Sequence, residues 1–446
     1  MELFFVFCYT FFVINLNNKF LDRMKELLGA EFDGFLHSLN EPEQKGILVN
    51  TSKIDVEEFS KLADFSLEKI PYEQAGFYVD NVRRGHHPLH HAGAFYVQDP
   101  SAMFTVNAHQ FKGDERVLDM CAAPGGKTIQ IANRLFSGTL VANEINPARA
   151  QILFSNVERM GLKNVAVSND SPKNLARAYG NSFDVVLVDA PCSGEGMFRR
   201  GQDMVDEWNE NLPTMCAARQ LEILSAADKV LVQGGTLIYS TCTYSLEENE
   251  EVIKKFAKDY GYKFIEIKSD FNRGVGLSEA VRLYSHKNRG EGQFVAVLEK
   301  MSENEETANK SLKLKTDKLG EKFVADNLKE PKELYTYKNF SYIIKDCSII
   351  KEGINYLSLG VRAGEVKNNL FMPNHNLFTA FGRQFKRVIN LKFDSEEAKK
   401  YLRGEEIATD LSDGFGAVTI ENCPVGGFKI SAGRFKNHYP KGLRNS

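Results

Sequence analysis

From about residue 112 to 300, short apolar runs alternate with stretches of helical period. Candidate strands cover 117–120, 139–143, 164–168, 184–188, 236–240 and 263–267, and a last one, 294–298, follows a Gly-rich turn. Between them 127–135, 147–160, 214–232 and 246–258 read as helices. That order is the pattern of parallel β-α-β units, so 108–300 predicts a doubly wound, Rossmann-like α/β domain. Upstream, Phe20, Met24, Leu27 and Leu28 recur at helical spacing, with Phe32, Phe35 and Leu36 behind them. Residues 19–45 therefore predict a helical pair. With the mixed pattern that follows, 19–107 predicts a small N-terminal α+β domain. Downstream, 301–333 is rich in Glu, Lys, Asn and Thr and reads as a linker or solvated tether. Aromatics and Gly-bounded strands return from 334, predicting a separate C-terminal unit.

A length of 446 residues suits two to four domains at ~150 residues each. With 43% apolar and 26% charged residues, the chain is neither mainly disordered nor membrane-embedded. A net charge of -3 gives no global sign of a nucleic-acid partner, so any basic surface is local. One such stretch is 425–446, where Lys429, Arg434, Lys436, Lys441 and Arg444 occur without an acidic residue. Phe428, Phe435, His438 and Tyr439 interleave with them, and cations beside stacking rings suit RNA. The plain alternative is a solvated edge. RRGHHPLHH (83–91) is a second polar, basic loop; no carboxylate or cysteine lies alongside its four histidines, so no metal site is expected. The seven cysteines are odd in number and form no Cys-x-x-Cys pair, which fits neither a disulfide framework nor structural zinc and points to a reducing cytoplasm. The opening MELFFVFCYTFFVI is apolar, but Glu2 stands where a signal peptide needs cations and no small-residue cleavage site follows. Residues 1–18 therefore read as an extension or mis-assigned start, ahead of a membrane anchor or a packed element. No membrane partner is expected.

The first strand-to-helix turn, VLDMCAAPGGKTIQIA (117–132), lets backbone N–H groups approach a ligand closely. It fails the dinucleotide pattern G-x-G-x-x-G, and Cys121 stands where a triphosphate loop needs its first Gly. Asp119 is placed either to accept a bond from a cationic amine or to orient the loop. Glu144 ends the next strand, where a carboxylate commonly holds ribose hydroxyls, and Asp170 follows the third and could meet an adenine amine. The implied ligand is a nucleoside with a positive centre. Two further cysteines follow predicted strands: Cys192 in DAPCSGEG (189–196) and Cys242 in STCTYS (240–245). A lone buried Cys is usually an inert core residue. Two at strand ends, in polar turns and beside Asp189, converge on the ligand crevice instead. Residue chemistry alone does not choose between them as nucleophile, and Pro191–Cys192 even matches the Pro-Cys pair used by DNA cytosine methyltransferases.

CAAPGGKT, DAPCSGEG and STCTYSLEENE closely resemble motifs of the Nol/Nop/Sun-type RNA cytosine-5 methyltransferases, as do YVQDPSAM (96–103) and GEGQFVAVL (290–298). LDRMKELLG (21–29) and FKNHYPKGLR (435–444) resemble the bacterial branch acting on 16S ribosomal RNA, called methyltransferase F or YebU-like. The resemblance implies S-adenosylmethionine as cofactor. It would be bound by Cys121, Ala122, Ala123, Pro124, Gly125, Gly126 and Lys127, with Glu144, Arg149, Asp170 and Asp189. Cys242 would be the nucleophile, Cys192 would assist release and Asp189 would contact the cytosine. It also implies a small C-terminal domain over 334–390 and a PUA-like RNA-binding domain over 391–446. The substrate would be 16S RNA, within a 30S subunit or precursor, with no DNA partner and a monomeric enzyme. A transfer-RNA methyltransferase, and a non-catalytic RNA-binding assembly factor on the same fold, are the rival readings. The intact motifs disfavour the second.

Overall fold

The computed structural model describes residues 15–80, 87–304 and 310–444. The expectations for residues 1–14, for 83–86 and for 305–309 lie outside them. Five parallel strands form the middle of the largest sheet, in the order Leu231–Thr241, Phe183–Asp189, Arg116–Asp119, Thr139–Asn143 and Val165–Ser168. They read as continuous apolar runs because both faces are covered. Ile129, Leu153 and Val157 pack on one side with Val117 and Leu140. Leu175, Leu224 and Phe256 pack on the other with Leu118, Val141 and Val186. The helix Pro147–Met160 has the predicted bounds, capped by the Asn146 side chain and stopped at Gly161 in the left-handed region.

The sheet departs from an all-parallel reading at its edges. Gln293–Lys300 runs antiparallel beside Leu231–Thr241, and Tyr262–Ile265 pairs antiparallel with Gln293–Lys300. No crossover helix precedes Gln293–Lys300. It is reached from Leu277–Leu283 by a short connection, which permits only the antiparallel sense. Leu277–Leu283, Asn272–Gly274 and the helix Pro172–Tyr179 were not evident in the apolar pattern. Leu277–Leu283 hides its inward face because one buried position is Arg282, paired with Glu250 at 2.5 Å.

The N-terminal helices Asn18–Leu28 and Phe32–Ser38 are those predicted. Their apolar face, Phe20, Met24 and Phe35, packs on Phe198, Trp208, Tyr244 and Tyr284 of the large domain. Arg23 pairs with the buried Glu195, which also accepts from the Trp208 indole at 2.9 Å. A four-stranded antiparallel sheet, Leu67–Lys69, Gly76–Val79, Gly46–Val49 and Phe95–Gln98, completes this unit.

The stretch 301–333 is not simply a tether. Lys315–Thr316 joins a five-stranded sheet, and Lys318–Asn327 is a helix that buries Val324, with Leu328 buried just beyond it. Its charges are confined to the solvent face, which is why composition alone reads as solvated. The same part of the chain returns to the large sheet: Tyr356–Ser358 pairs antiparallel with Val165–Ser168. A last four-stranded sheet, Val388–Leu391, Gly414–Ile420, Cys423–Ser431 and Arg434–Asn437, lies at the C-terminal end. Lys53, from the N-terminal unit, joins three parts of the chain. Its buried ammonium donates to the carbonyls of Ala92 (2.7 Å), Arg159 (3.1 Å) and Pro424 (2.9 Å).

Candidate active site

A cavity of about 1990 Å³ opens at the carboxyl ends of the parallel strands, where ligands of open α/β sheets bind. The loop after Arg116–Asp119 forms one wall. Gly125 there has φ +116°, a backbone state closed to side chains without strain, and it starts the helix Gly126–Ala132. The loop is tied down by Ala122 N–H to the Asn143 carbonyl (2.8 Å), Arg149 to the Ala123 carbonyl (2.9 Å) and Asn156 to the Pro124 carbonyl (2.9 Å). Asn143 was not anticipated. Its amide donates to the carbonyls of Met120 and Asp170, and its Oδ1 accepts from Ser168 and from Asp170 N–H. One side chain thus joins three strand ends. Its signal in the sequence, a polar residue closing an apolar strand, is shared by many turns.

The acidic residues face the same space. Glu144 is buried, accepts from Asn146 N–H at 2.9 Å and lies 3.7 Å from Arg149. Asp170 accepts from Ser171 N–H, the Asn174 amide and Asn355 N–H. Asp119 is fully buried. Its Oδ2 accepts from the Thr128 hydroxyl at 2.7 Å, whereas its Oδ1 has no partner among the described residues. Burial pushes this carboxyl up to about 7. An open acceptor in the cavity wall, with Glu144 and Asp170 nearby, fits the donors of a cationic nucleoside such as S-adenosylmethionine.

The cysteine loops form the opposite wall. Cys192 and Cys242 lie Sγ to Sγ at 3.3 Å, and both are free thiols. The hydrogen bond to Cys242, then burial, raises the Cys192 thiol well above its ordinary range. Asp189, in the same cavity, accepts from Lys127 Nζ at 2.8 Å and from Ser240 Oγ at 2.7 Å. Burial alone would lower the Lys127 pKa. The Asp189 carboxylate and, further down in effect, Cys242 raise it overall, so its ammonium stands in the field of both. The two loops are stapled together. Ser193 Oγ meets Thr243 Oγ1 at 2.8 Å, and Ser193 donates through N–H and Oγ to the buried Glu248. The Gln220 amide bridges the Pro191 carbonyl (3.0 Å) and Glu248 (2.9 Å). Gly196 N–H donates to the Cys242 carbonyl at 2.9 Å, and a Cβ at Gly196 would fall 2.7 Å from Gly292 Cα.

The basic C-terminal stretch is a hairpin rather than a tail, and its rings do not face solvent. Phe428, Phe435 and Tyr439 are core residues, and Tyr439 bonds His91 Nδ1 at 3.0 Å. This corrects their reading as stacking platforms: alternation along a strand puts every second residue inside. Arg434, Lys436 and Lys441 remain exposed, while Lys429 lies over the Phe415 ring and Arg444 folds back on the Tyr439 carbonyl. His438 is partly covered, beside Phe415. Of 83–91, the described part forms a short helix, Pro88–His91, capped by His87.

A Rossmann-like domain with two free thiols and an open carboxylate acceptor at its strand ends has the form of a group-transfer enzyme, and the comparisons show its class to be that of the S-adenosylmethionine-dependent RNA methyltransferases. The sequence profile of 16S rRNA methyltransferase RsmB/F matches residues 106–299, that of the N-terminal domain of 16S rRNA methyltransferase RsmF matches 16–100, and that of the methyltransferase RsmF PUA domain matches 388–445. The chain is 30% identical to ribosomal RNA small subunit methyltransferase F of Vibrio vulnificus over 96% of its own length and 98% of that protein. It is 31% identical to the protein of the same name from Vibrio campbellii, over 95% and 96%. Among solved structures, a methyltransferase homolog protein from Pyrococcus horikoshii is 28% identical with a TM-score of 0.58, covering 65% of this chain and 96% of that one. NSun6 from Pyrococcus horikoshii, solved with SFG, shares the fold at 24% identity and a TM-score of 0.59, covering 66% of this chain and 100% of that one. The chain belongs to the 16S ribosomal RNA methyltransferase F family.

Proposed function

We propose that the chain methylates carbon 5 of cytosine in 16S ribosomal RNA through a covalent Cys242–cytosine adduct, acting as a cytoplasmic monomer on a 30S subunit or its precursor. The observation that carries this reading is the 3.3 Å approach of the Cys192 and Cys242 sulfurs beside Asp189 in one cavity. Carbon 5 of cytosine is a weak nucleophile. Addition of the Cys242 thiolate to carbon 6 places the electron pair where carbon 5 can attack a methyl group. Bound S-adenosylmethionine supplies that methyl on a sulfonium centre. Residues 121–127 with Arg149 would cradle it, Glu144 would hold its ribose, Asp170 its adenine and the free Asp119 oxygen its ammonium. Asp189 would meet the N3/N4 edge of the base and stabilise the charge that addition creates. The Lys127 ammonium, within the field of Cys242, would favour the thiolate.

After transfer the carbon-5 proton leaves, its electron pair re-forms the ring double bond, and the bond from carbon 6 to sulfur breaks. Cys192, adjacent to the departing sulfur, would help this release as base or relay. The target base must leave its stack to reach the cavity. Residues 19–107 and 391–446, with Lys429, Arg434, Lys436, His438, Lys441 and Arg444, would hold the surrounding RNA. Lys429 stands directly opposite Lys436 on the neighbouring strand. Like charges so placed repel, and an anionic partner relieves them. The test is methyl transfer from labelled S-adenosylmethionine to 30S subunits, naked 16S RNA and bulk transfer RNA, with bisulfite mapping. Modified cytosine in 16S RNA, lost in Cys242→Ser, is the expected result. Label confined to transfer RNA overturns the substrate and leaves the chemistry standing.

A further inference from the structure

The catalytic cavity does not end at the cofactor loop. It continues between the helices Pro172–Tyr179 and Leu212–Val230, over a floor that includes Ala176, Ile223 and Ala226. The helices run side by side, their far ends tied by Asn181 and Ser182 N–H groups donating to the Lys229 and Val230 carbonyls. Along this groove stand Lys173, Arg177, Arg219 and Lys229, all exposed. Glu222 is the acidic residue among them. Among the described residues the neighbouring carboxylates are engaged elsewhere: Asp189, Glu144 and Asp228 by Lys127, Arg149 and Lys300, and Asp170 by the Ser171 and Asn355 N–H groups and the Asn174 amide. Arg219 and Lys229 are ten positions apart on one helix, roughly 15 Å at the helical rise. Lys173 and Arg177 sit one turn apart on the facing helix.

A concave track with an apolar floor and a cationic rim suits a single polyanionic strand: ribose and base faces lie on the floor, and phosphates lie along the rim. Its upper end opens beside Pro191 and Cys192, where the target nucleotide has to enter, with the adenine side of the cofactor site at Asp170 next to it. We propose that this groove holds the backbone of the few nucleotides next to the target base. The assignment rests on the reading of the chain as an RNA methyltransferase. It places part of the RNA on the sheet face opposite the helix Pro147–Met160. The last sheet lies on that helix's side, where Lys53 joins the Arg159 carbonyl to the Pro424 carbonyl, whereas residues 342–359 pack beside the groove helix Pro172–Tyr179. The RNA would then be held from both faces of the large domain.

The test uses the full chain, a 16S RNA fragment that the wild-type protein binds, and two charge-reversed pairs, K173E/R177E and R219E/K229E. Each contact to a phosphate of a single strand contributes about 0.7 to the slope of log K against log salt. Each pair is therefore expected to lower the slope by about 1.4 and to weaken binding at least tenfold, with KM for RNA rising much more than kcat falls. A retained thermal shift with S-adenosylmethionine shows that the variants are folded; if it is lost, the neutral pairs K173Q/R177Q and R219Q/K229Q replace them, with a slope loss still expected. Wild-type affinity and slope in both folded pairs would overturn the groove assignment. If wild-type protein binds the RNA without methylating it, the catalytic reading fails while the salt titration still decides the groove.

Discussion

Two sulfur atoms 3.3 Å apart can be chemically unequal, and here their neighbours make them so. Lys127 stands in the field of Cys242, whereas in the free enzyme the Cys192 thiol is pushed up by its hydrogen bond to Cys242 and then by burial, a bond that ends when Cys242 is taken into the adduct. Cys242→Ser is therefore expected to abolish methylation, and Cys192→Ala to accumulate an RNA–protein adduct on denaturing gels. An adduct formed without Cys242 would reverse the two roles. Asp119 makes a second prediction. Its carboxyl titrates near 7 when folded, against an ordinary value of 3.8. Between those values the folded state holds a proton that the unfolded chain has lost, so stability falls as pH rises, by at most about 4 kcal/mol. Asp119→Asn keeps an acceptor for Thr128 and removes this dependence. Its melting temperature, measured without ligand, should gain on wild type between about pH 4 and pH 7 and level off above, and a constant difference would refute the assignment. The cysteines and strand-end acids were legible in the sequence because motifs carry them. The Lys127–Asp189 contact, the Asn143 tie and the open Asp119 oxygen were not, because each depends on loops that meet only in the fold.

At the scale of elements, the cysteine loops keep their spacing through Glu248, on the π-helical turn Glu247–Glu251. Ser193, Thr243, Gln220 and Glu248 form one buried network across both loops. Glu248→Ala is expected to cut methylation at least tenfold by letting the loops part, with S-adenosylmethionine binding retained, since each unmet buried donor costs ~1–3 kcal/mol. Glu248→Gln should be milder: with its oxygen in the Oε2 place it still accepts from Ser193 N–H and the Gln220 amide, while its NH2 faces the Ser193 hydroxyl, which has to turn its proton towards Thr243. A fully active Glu248→Ala enzyme would show that the network is dispensable. The central strands were readable because burial on both faces makes them plainly apolar. Leu277–Leu283 and Lys318–Asn327 escaped because a buried Arg–Glu pair and a charged solvent face mask their inward positions.

At the scale of the whole molecule, Lys53 decides how the parts are joined. Three carbonyls from three stretches of chain converge on one ammonium, in surroundings that lower its pKa to about 7 through burial. Lys53→Met fills the space but leaves those carbonyls without a donor. A loss on the order of 3 kcal/mol or more is expected in denaturant unfolding, with earlier proteolytic release of the C-terminal sheet; unchanged unfolding would show that apolar packing alone holds the junction. Lysine 53 gave no signal in the sequence, since nothing local distinguishes it from a surface lysine.

The same convergence sets an order in time. A chain made from its N-terminus folds its early domains first, yet Lys53 finds its third carbonyl only once Pro424, in one of the last strands made, is in place. Until then Lys53 has two of its three carbonyl partners and its ammonium is still open to water. Closing the junction is thereby the last step of assembly, and a chain lacking that strand is expected to be cut there faster in limited proteolysis.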